Sequence, residues 1–209
     1  MRALVIYESM YGNTHRIAEA VARGLTEEGI EATAIPTDEA TSERVTTTDL
    51  VVVGGPTHAH GMSRCSTRRA ATEDAAKPGS DLHLEPHAEG AGLREWFDTL
   101  PPSSGLGAAF DTRFSMPAII SGRASKGISE HLRRLGRTEV AEPVSFLVQK
   151  GNRLAEGEER RAREWGGAVA RSLSPDPSAS RCEMSPVPAP IRPSAPPAMP
   201  PSCGHCSNG

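Results

Sequence analysis

The chain has 209 residues, enough for one α/β domain with its own core and too few for two of ordinary size. Its 23 Lys and Arg and 26 Asp and Glu are interspersed and sum to a net charge of −3, which leaves no basic footprint for nucleic acid. No apolar run approaches the roughly 20 residues that span a bilayer, the N-terminus enters a strand pattern directly, and three of the four cysteines, Cys182, Cys203 and Cys206, lie near the C-terminus. A cytoplasmic protein with no membrane partner and no disulfide framework is expected.

Leu4 to Tyr7 form a continuous apolar run, the pattern of a central parallel strand covered on both faces. The next segment is an amphipathic helix, with Ile17, Ala18, Val21, Ala22 and Leu25 on one side and Arg16, Glu19, Arg23, Glu27 and Glu28 on the other. Between them lies Ser9-Met10-Tyr11-Gly12-Asn13-Thr14. At such a strand–turn–helix junction the first helical N–H groups project together and favour an anion. Ser9 and Thr14 add hydroxyls, Gly12 permits close backbone approach and Asn13 tolerates turn dihedrals. The turn has no lysine, unlike Gly-x-x-x-x-Gly-Lys-Ser/Thr loops, and one glycine where dinucleotide loops have three. A monophosphate held by amides and hydroxyls suits it.

Gly29 to Pro36 reads as a helix stop and a second strand, Thr37 to Thr48 as a polar connection with room for one helical turn, and Val51 to Val53 as a third strand. Met62 to Ala76 predicts a basic surface helix bearing Arg64, Arg68 and Arg69, and residues 77–92, rich in Pro and Gly, a loop insertion with little order. Leu93, Trp96, Phe97 and Leu100 restore helical spacing before Pro101-Pro102. Leu106 to Phe110 is the fourth strand, with Asp111-Thr112-Arg113 as the loop at its carboxyl end. Ile128, Leu132 and Leu135 mark a helix, Val144 to Val148 the fifth strand, and Glu156 to Leu173 the closing helix, with Glu158, Glu159, Arg160, Arg161 and Arg163 solvated. The domain therefore covers residues 1–173. Residues 174–209 carry ten of the eighteen prolines and no aromatic residue, which predicts a disordered Pro-rich tail. Cys182, Cys203, His205 and Cys206 copy the wording of a dithiol or zinc site without its context and read as inert. No carboxylate completes a metal shell with His58, His60 and Cys65, so no metal is expected, and His83 and His87 read as solvated.

Two motifs carry a family resemblance. Ser9 to Thr14 resembles the FMN-phosphate loop of the flavodoxin-like family, Ser/Thr-x-Thr/Tyr-Gly-Asn-Thr, and Asp49 to Ser63 resembles that family's third strand and the loop after it. The wording Gly-Pro-Thr…Gly-Met-Ser is closest to the flavodoxin-like NAD(P)H:quinone oxidoreductases. Over Met1 to Leu173 the resemblance implies a doubly wound three-layer α/β sandwich with a five-stranded parallel sheet of order 2-1-3-4-5. In that order the loops after strands one and three flank the ligand crevice. The resemblance also implies FMN, its phosphate on Ser9, Met10, Tyr11, Gly12, Asn13 and Thr14 and its ring between Pro56, Thr57 and His58 on one side and Asp111, Thr112 and Arg113 on the other. Redox exchange with NAD(P)H and a quinone or a redox-partner protein follows, and Arg113 would favour the negatively charged reduced ring. The loop after strand four is neither the Thr/Ser- and Gly-rich loop of the quinone reductases nor the acidic-aromatic loop of flavodoxins. That departure supports the alternative, a flavodoxin-like domain without tight flavin binding that acts as an interaction or regulatory module.

Overall fold

Every residue from Ala3 to Tyr7 is buried in β1 (Arg2–Tyr7), because helices cover both sides of the strand. The computed structural model describes residues 1–173, and the reading of residues 174–209 as a disordered tail lies outside the described residues. β1 leads to α1 (Asn13–Glu27), β2 (Glu31–Pro36), a 3-10 turn over Thr37–Glu39, α2 (Ser42–Thr46), β3 (Leu50–His58), β4 (Gly61–Met62), α3 (Cys65–Ala75) and α4 (Leu93–Asp98). There follow β5 (Leu106–Phe114), α5 (Ala118–Ser121), α6 (Ala124–Leu135), β6 (Thr138–Glu139), β7 (Val144–Gln149), β8 (Arg153–Leu154) and α7 (Glu158–Leu173).

The sheet runs β2-β1-β3-β5-β7-β8, and the first five are parallel neighbours. In terms of the five strands legible in the sequence this is the order 2-1-3-4-5. The remaining strands are two residues each: β4 folds back on β3, β6 extends beside β5, and β8 returns antiparallel along β7.

Strand periodicity divides the apolar residues between two cores. Val5, Tyr7, Val52, Ala108, Phe110 and Phe146 face α1 and α7, packing on Ile17, Val21, Leu25, Ala162 and Val169. Leu4, Ile6, Val51, Val53 and Ala109 face the opposite layer, packing on Val45, Trp96, Phe97, Ile128 and Leu132. The layers are therefore α1 and α7, the sheet, and α2, α4 and α6. Backbones approach closely between α1 and α7: a Cβ on Gly24 would lie 2.0 Å from Arg163 O, and one on Gly166 2.4 Å from Val21 O.

Several local readings change. β5 continues to Phe114, so Asp111-Thr112-Arg113 is strand and not loop, paired with Ser145, Phe146 and Leu147 of β7. α3 starts at Cys65, three residues after the expected position. Glu158 is buried, accepting Leu147 N–H at 2.8 Å and bonding Arg161 at 2.5 Å. Residues 77–92 form no helix or strand, yet they are tied to the domain. Glu85 N–H donates to Met10 O at 2.9 Å, and Leu84 and Ala88 pack with Met10 and Tyr11. His87 pairs with Asp38 at 2.7 Å, which raises its pKa.

Candidate functional site

The turn after β1 reverses at Gly12, which sits at φ +88° as the N-cap of α1, a left-handed conformation that glycine adopts without cost. Its N–H donates to Ser9 Oγ at 3.1 Å, and its carbonyl accepts the first helical bond, from Arg16 N–H at 3.0 Å. The amides of Asn13, Thr14 and His15 precede that bond and point out of the helix end, the arrangement that seats an anion.

Neighbouring elements fix the turn's side chains. Tyr11 OH donates to Ala71 O on α3 at 2.7 Å, and the Thr14 and Thr112 hydroxyls bond at 2.7 Å. Asn13 Nδ2 donates to both Asn152 O, at 3.1 Å, and Asn152 Oδ1, at 2.9 Å. His15 stacks on Tyr7 with centroids 4.6 Å apart and bonds Glu85 at 2.9 Å. Burial, followed by the charges of Glu85 and Glu19, pushes the Tyr7 hydroxyl up to about 12.

The opposite wall begins at the β3–β4 hairpin, where Thr57 pairs with Met62 and His58 with Gly61. Its two turn residues, Ala59 at φ +45° and His60 at φ +76°, both have the positive φ that a two-residue type I′ connection requires. Neither is the usual Gly or Asn, so the turn stores backbone strain. His60 bridges Gly122, where a Cβ would fall 2.2 Å from the His60 backbone. Burial, with a smaller contribution from Arg68, lowers the His58 pKa and favours its neutral form.

β5 supplies the third side. Its alternation sends Thr112 to Thr14, whereas Asp111 turns to the α6 end and accepts Ser125 N–H at 2.8 Å. Thr57 Oγ accepts Ala124 N–H at 3.0 Å, so both side chains cap α6. Burial raises the Asp111 pKa, against bonds from Ser125 and Ser145 and the charge of Arg123, and its Oδ1 is buried without a partner. Arg113 Nη1 donates to Met116 O at 2.6 Å and Ser121 Oγ at 3.2 Å, and its Nε is buried without a partner.

These parts enclose one cavity of about 530 Å³. Ser9, Met10, Tyr11, Asn13, Thr14, Pro56, Thr57, His58, Thr112 and Arg113 line it. Gly12 shapes the turn without lining the cavity, and Asp111 is directed away from it. Sequence reasoning missed the side supplied by α3, where Thr67, Ala71 and Asp74 line the cavity, and the side supplied by Met116, Ile120, Ser121, Val148 and Asn152. The Gly151-Asn152 pair after the fifth strand was the available signal, being a turn dipeptide at a strand's carboxyl end; Gly151 and Asn152 have φ +81° and +55°. The donor set fits a flavin mononucleotide: amides and hydroxyls at one end, and a mostly apolar slot of ligand-site size beside them. Among the described residues no three His, Cys, Asp or Glu side chains are grouped to hold a metal. The zinc-like wording of the Cys182–Cys206 segment lies outside the described residues.

Residues 5–83 match the flavodoxin family. A flavodoxin from the domain Archaea superposes with a TM-score of 0.56 at 18% identity, over 82% of this chain and 97% of that one. Flavodoxin 1 from Bacillus cereus does so at 0.55 and 18%, over 83% and 100%. The flavodiiron core from Synechocystis gives 0.53 at 20%, over 83% of this chain and 36% of that longer one. No curated protein sequence matches the chain. The fold is flavodoxin-like, and the segment that carries the phosphate turn and the β3–β4 hairpin is the one similar to the flavodoxin family.

Proposed function

We propose that the protein is an FMN-binding redox protein that takes electrons from a donor such as NAD(P)H and passes them to a quinone-like acceptor or a redox partner. The observation that carries this reading is the junction of the amide-bearing turn at Gly12 to Asn13 with the slot between the β3–β4 hairpin and the end of β5. Bound FMN would supply the electron chemistry, and the chain supplies binding and electrostatics. Ser9, Thr14 and the first α1 amides hold the phosphate. Thr112 and Asn152 brace that turn through Thr14 and Asn13, so the seat is preorganised. Pro56, Thr57 and His58 form one wall of the ring slot, and the segment from Thr112 through Ile120 forms the other.

No charged side chain hydrogen-bonds within the phosphate turn, and Glu85 Oε1 lies 3.1 Å from where a Gly12 Cβ would be. Binding therefore rests on oriented amides and hydroxyls. The test is the visible spectrum of the purified protein, followed by titration of dialysed protein with FMN and with riboflavin. The expected result is saturable FMN binding at micromolar or tighter, about −8 kcal/mol, with riboflavin much weaker. Equal affinity for the two would remove the phosphate seat, and no flavin binding would remove the redox reading.

A further inference from the structure

Residues 77–92, between α3 and α4, are pinned against the phosphate turn. Glu85 N–H donates to Met10 O at 2.9 Å, and Leu84 and Ala88 pack in one cluster with Met10, Tyr11 and Ala71. Beyond Glu85, His87 bonds Asp38 at 2.7 Å, and Ala91 O accepts the Thr37 hydroxyl at 2.7 Å. The backbone at Glu85 is held from both sides, and its side chain is directed at the end of α1. Oε2 bonds His15 Nδ1 at 2.9 Å, and Oε1 lies 3.1 Å from where a Gly12 Cβ would be. Gly12 is the N-cap of α1 and His15 its third residue, so the carboxylate stands beside the helix end whose free amides are those of Asn13, Thr14 and His15.

Little nearby offsets that charge. His15 also faces Glu19, through Nε2 at 3.6 Å, and one imidazole balances at most one of two carboxylates. Asp38 and Glu39 add to the negative surround: after burial, the charges of Glu85, Glu19, Glu39 and Asp38 all push the Tyr7 hydroxyl up. Arg16, the nearest arginine in sequence, is turned away to Glu159 at 2.6 Å. A carboxylate is favoured at the positive end of a helix, which accounts for Glu85 standing there, and the same helix end is the one a phosphate takes.

We infer, resting on the flavin reading above, that Glu85 sets the affinity of the phosphate seat: a phosphomonoester that takes the α1 amides does so against this carboxylate, and binds more weakly than the amides and hydroxyls alone would hold it. Like charges repel, and the repulsion falls on the phosphate group and not on the uncharged ring of the oxidised flavin. Glu85 therefore narrows the preference for FMN over riboflavin and keeps FMN exchangeable. A merely structural strap would act differently. Loosening it would disturb Met10 and Tyr11, which line the cavity, and would change FMN and riboflavin binding together.

The experiment is titration of the full, dialysed chain with FMN and with riboflavin, as wild type, Glu85→Gln and Glu19→Gln. Glu85→Gln keeps the length of the side chain and a hydrogen-bonding group for His15 while removing the charge. It should lower the FMN Kd about tenfold, leave the riboflavin Kd within about twofold, and lose most of the gain in about 1 M NaCl, where charges are screened within ~3 Å. Glu19→Gln removes a carboxylate one turn further along α1 and should change the FMN Kd less than about threefold. An FMN Kd that Glu85→Gln leaves unchanged or raises, a gain that riboflavin shares, or a gain that Glu19→Gln matches would each overturn the role of Glu85 and leave the flavin reading standing. If neither the wild type nor Glu85→Gln binds FMN, the flavin reading fails and the role of Glu85 falls with it.

Discussion

Arg113 and Glu8 show how burial turns single side chains into measurable quantities. The Arg113 guanidinium holds the segment after β5 through Met116 O and Ser121 Oγ, and it lines the cavity with Nε unpartnered. A cation there attracts the negative charge that a reduced flavin acquires. Arg113→Ala is expected to lower the two-electron potential of bound flavin by about 30 mV or more, the equivalent of ~1.4 kcal/mol. Arg113→Lys, which keeps the charge and loses the fork, should retain most of it. Spectroelectrochemical titration reads both, and an unchanged potential in Arg113→Ala would discard the role. Glu8 is 5% exposed, accepts Leu93 N–H at 2.8 Å through Oε2, and leaves Oε1 buried without a partner. Burial raises its pKa, opposed by bonds from Ser63 and Leu93 and by the charge of Arg68. A raised pKa means that the folded state binds the proton more tightly. The Glu8 contribution is therefore full below the ordinary glutamate value and is lost as pH rises through the raised one. Urea midpoints of the wild type should show this decline as pH rises above the ordinary glutamate range, and Glu8→Gln should remove it.

Among the elements, the seam between α1 and α7 sets two physical effects against each other. Helix propensity alone says that Gly166→Ala should stabilise by about 1 kcal/mol. The new Cβ would meet Val21 O at 2.4 Å, a backbone atom that cannot swing aside, so the helices must separate. Overpacking of this kind costs about 1–3 kcal/mol, and Gly166→Ala is expected to lower Tm by several degrees. A rise in Tm would show that the seam is looser than these distances imply. The β3–β4 hairpin shows the converse economy. Its strained Ala59-His60 turn is held by the pairing of Thr57 with Met62 and by the bridge from His60 to Gly122. The strain thus sits where the chain must turn tightly at the cavity wall.

Across the whole molecule, what was legible in the sequence was what repeats along it. Apolar runs and helical spacing located five core strands and the principal helices, and the family resemblance implied the order 2-1-3-4-5 now seen as β2-β1-β3-β5-β7. The turn from Ser9 to Thr14 was legible because its chemistry is local: a Gly at positive φ, a hydroxyl bonding three residues on, and free helical amides. What the sequence could not show depends on contacts between distant segments. β5 reads as ending at Phe110 because Asp111 and Arg113 are charged, yet pairing with β7 continues the strand to Phe114. The strand's twofold period then directs Asp111 to α6 and Thr112 to Thr14. Asn152 joins the wall because β8 folds back on β7 and brings it to Asn13, 139 residues away in sequence. Glu85 reaches His15 because residues 77–92 pack over the turn, although their composition alone reads as free loop. Periodicity and turn chemistry act within a few residues, so sequence alone determined the doubly wound frame and the anion-seating turn. Only tertiary structure decided which side chains close the cavity, since strand pairing and packing choose among rotamers and faces that the local sequence leaves equal.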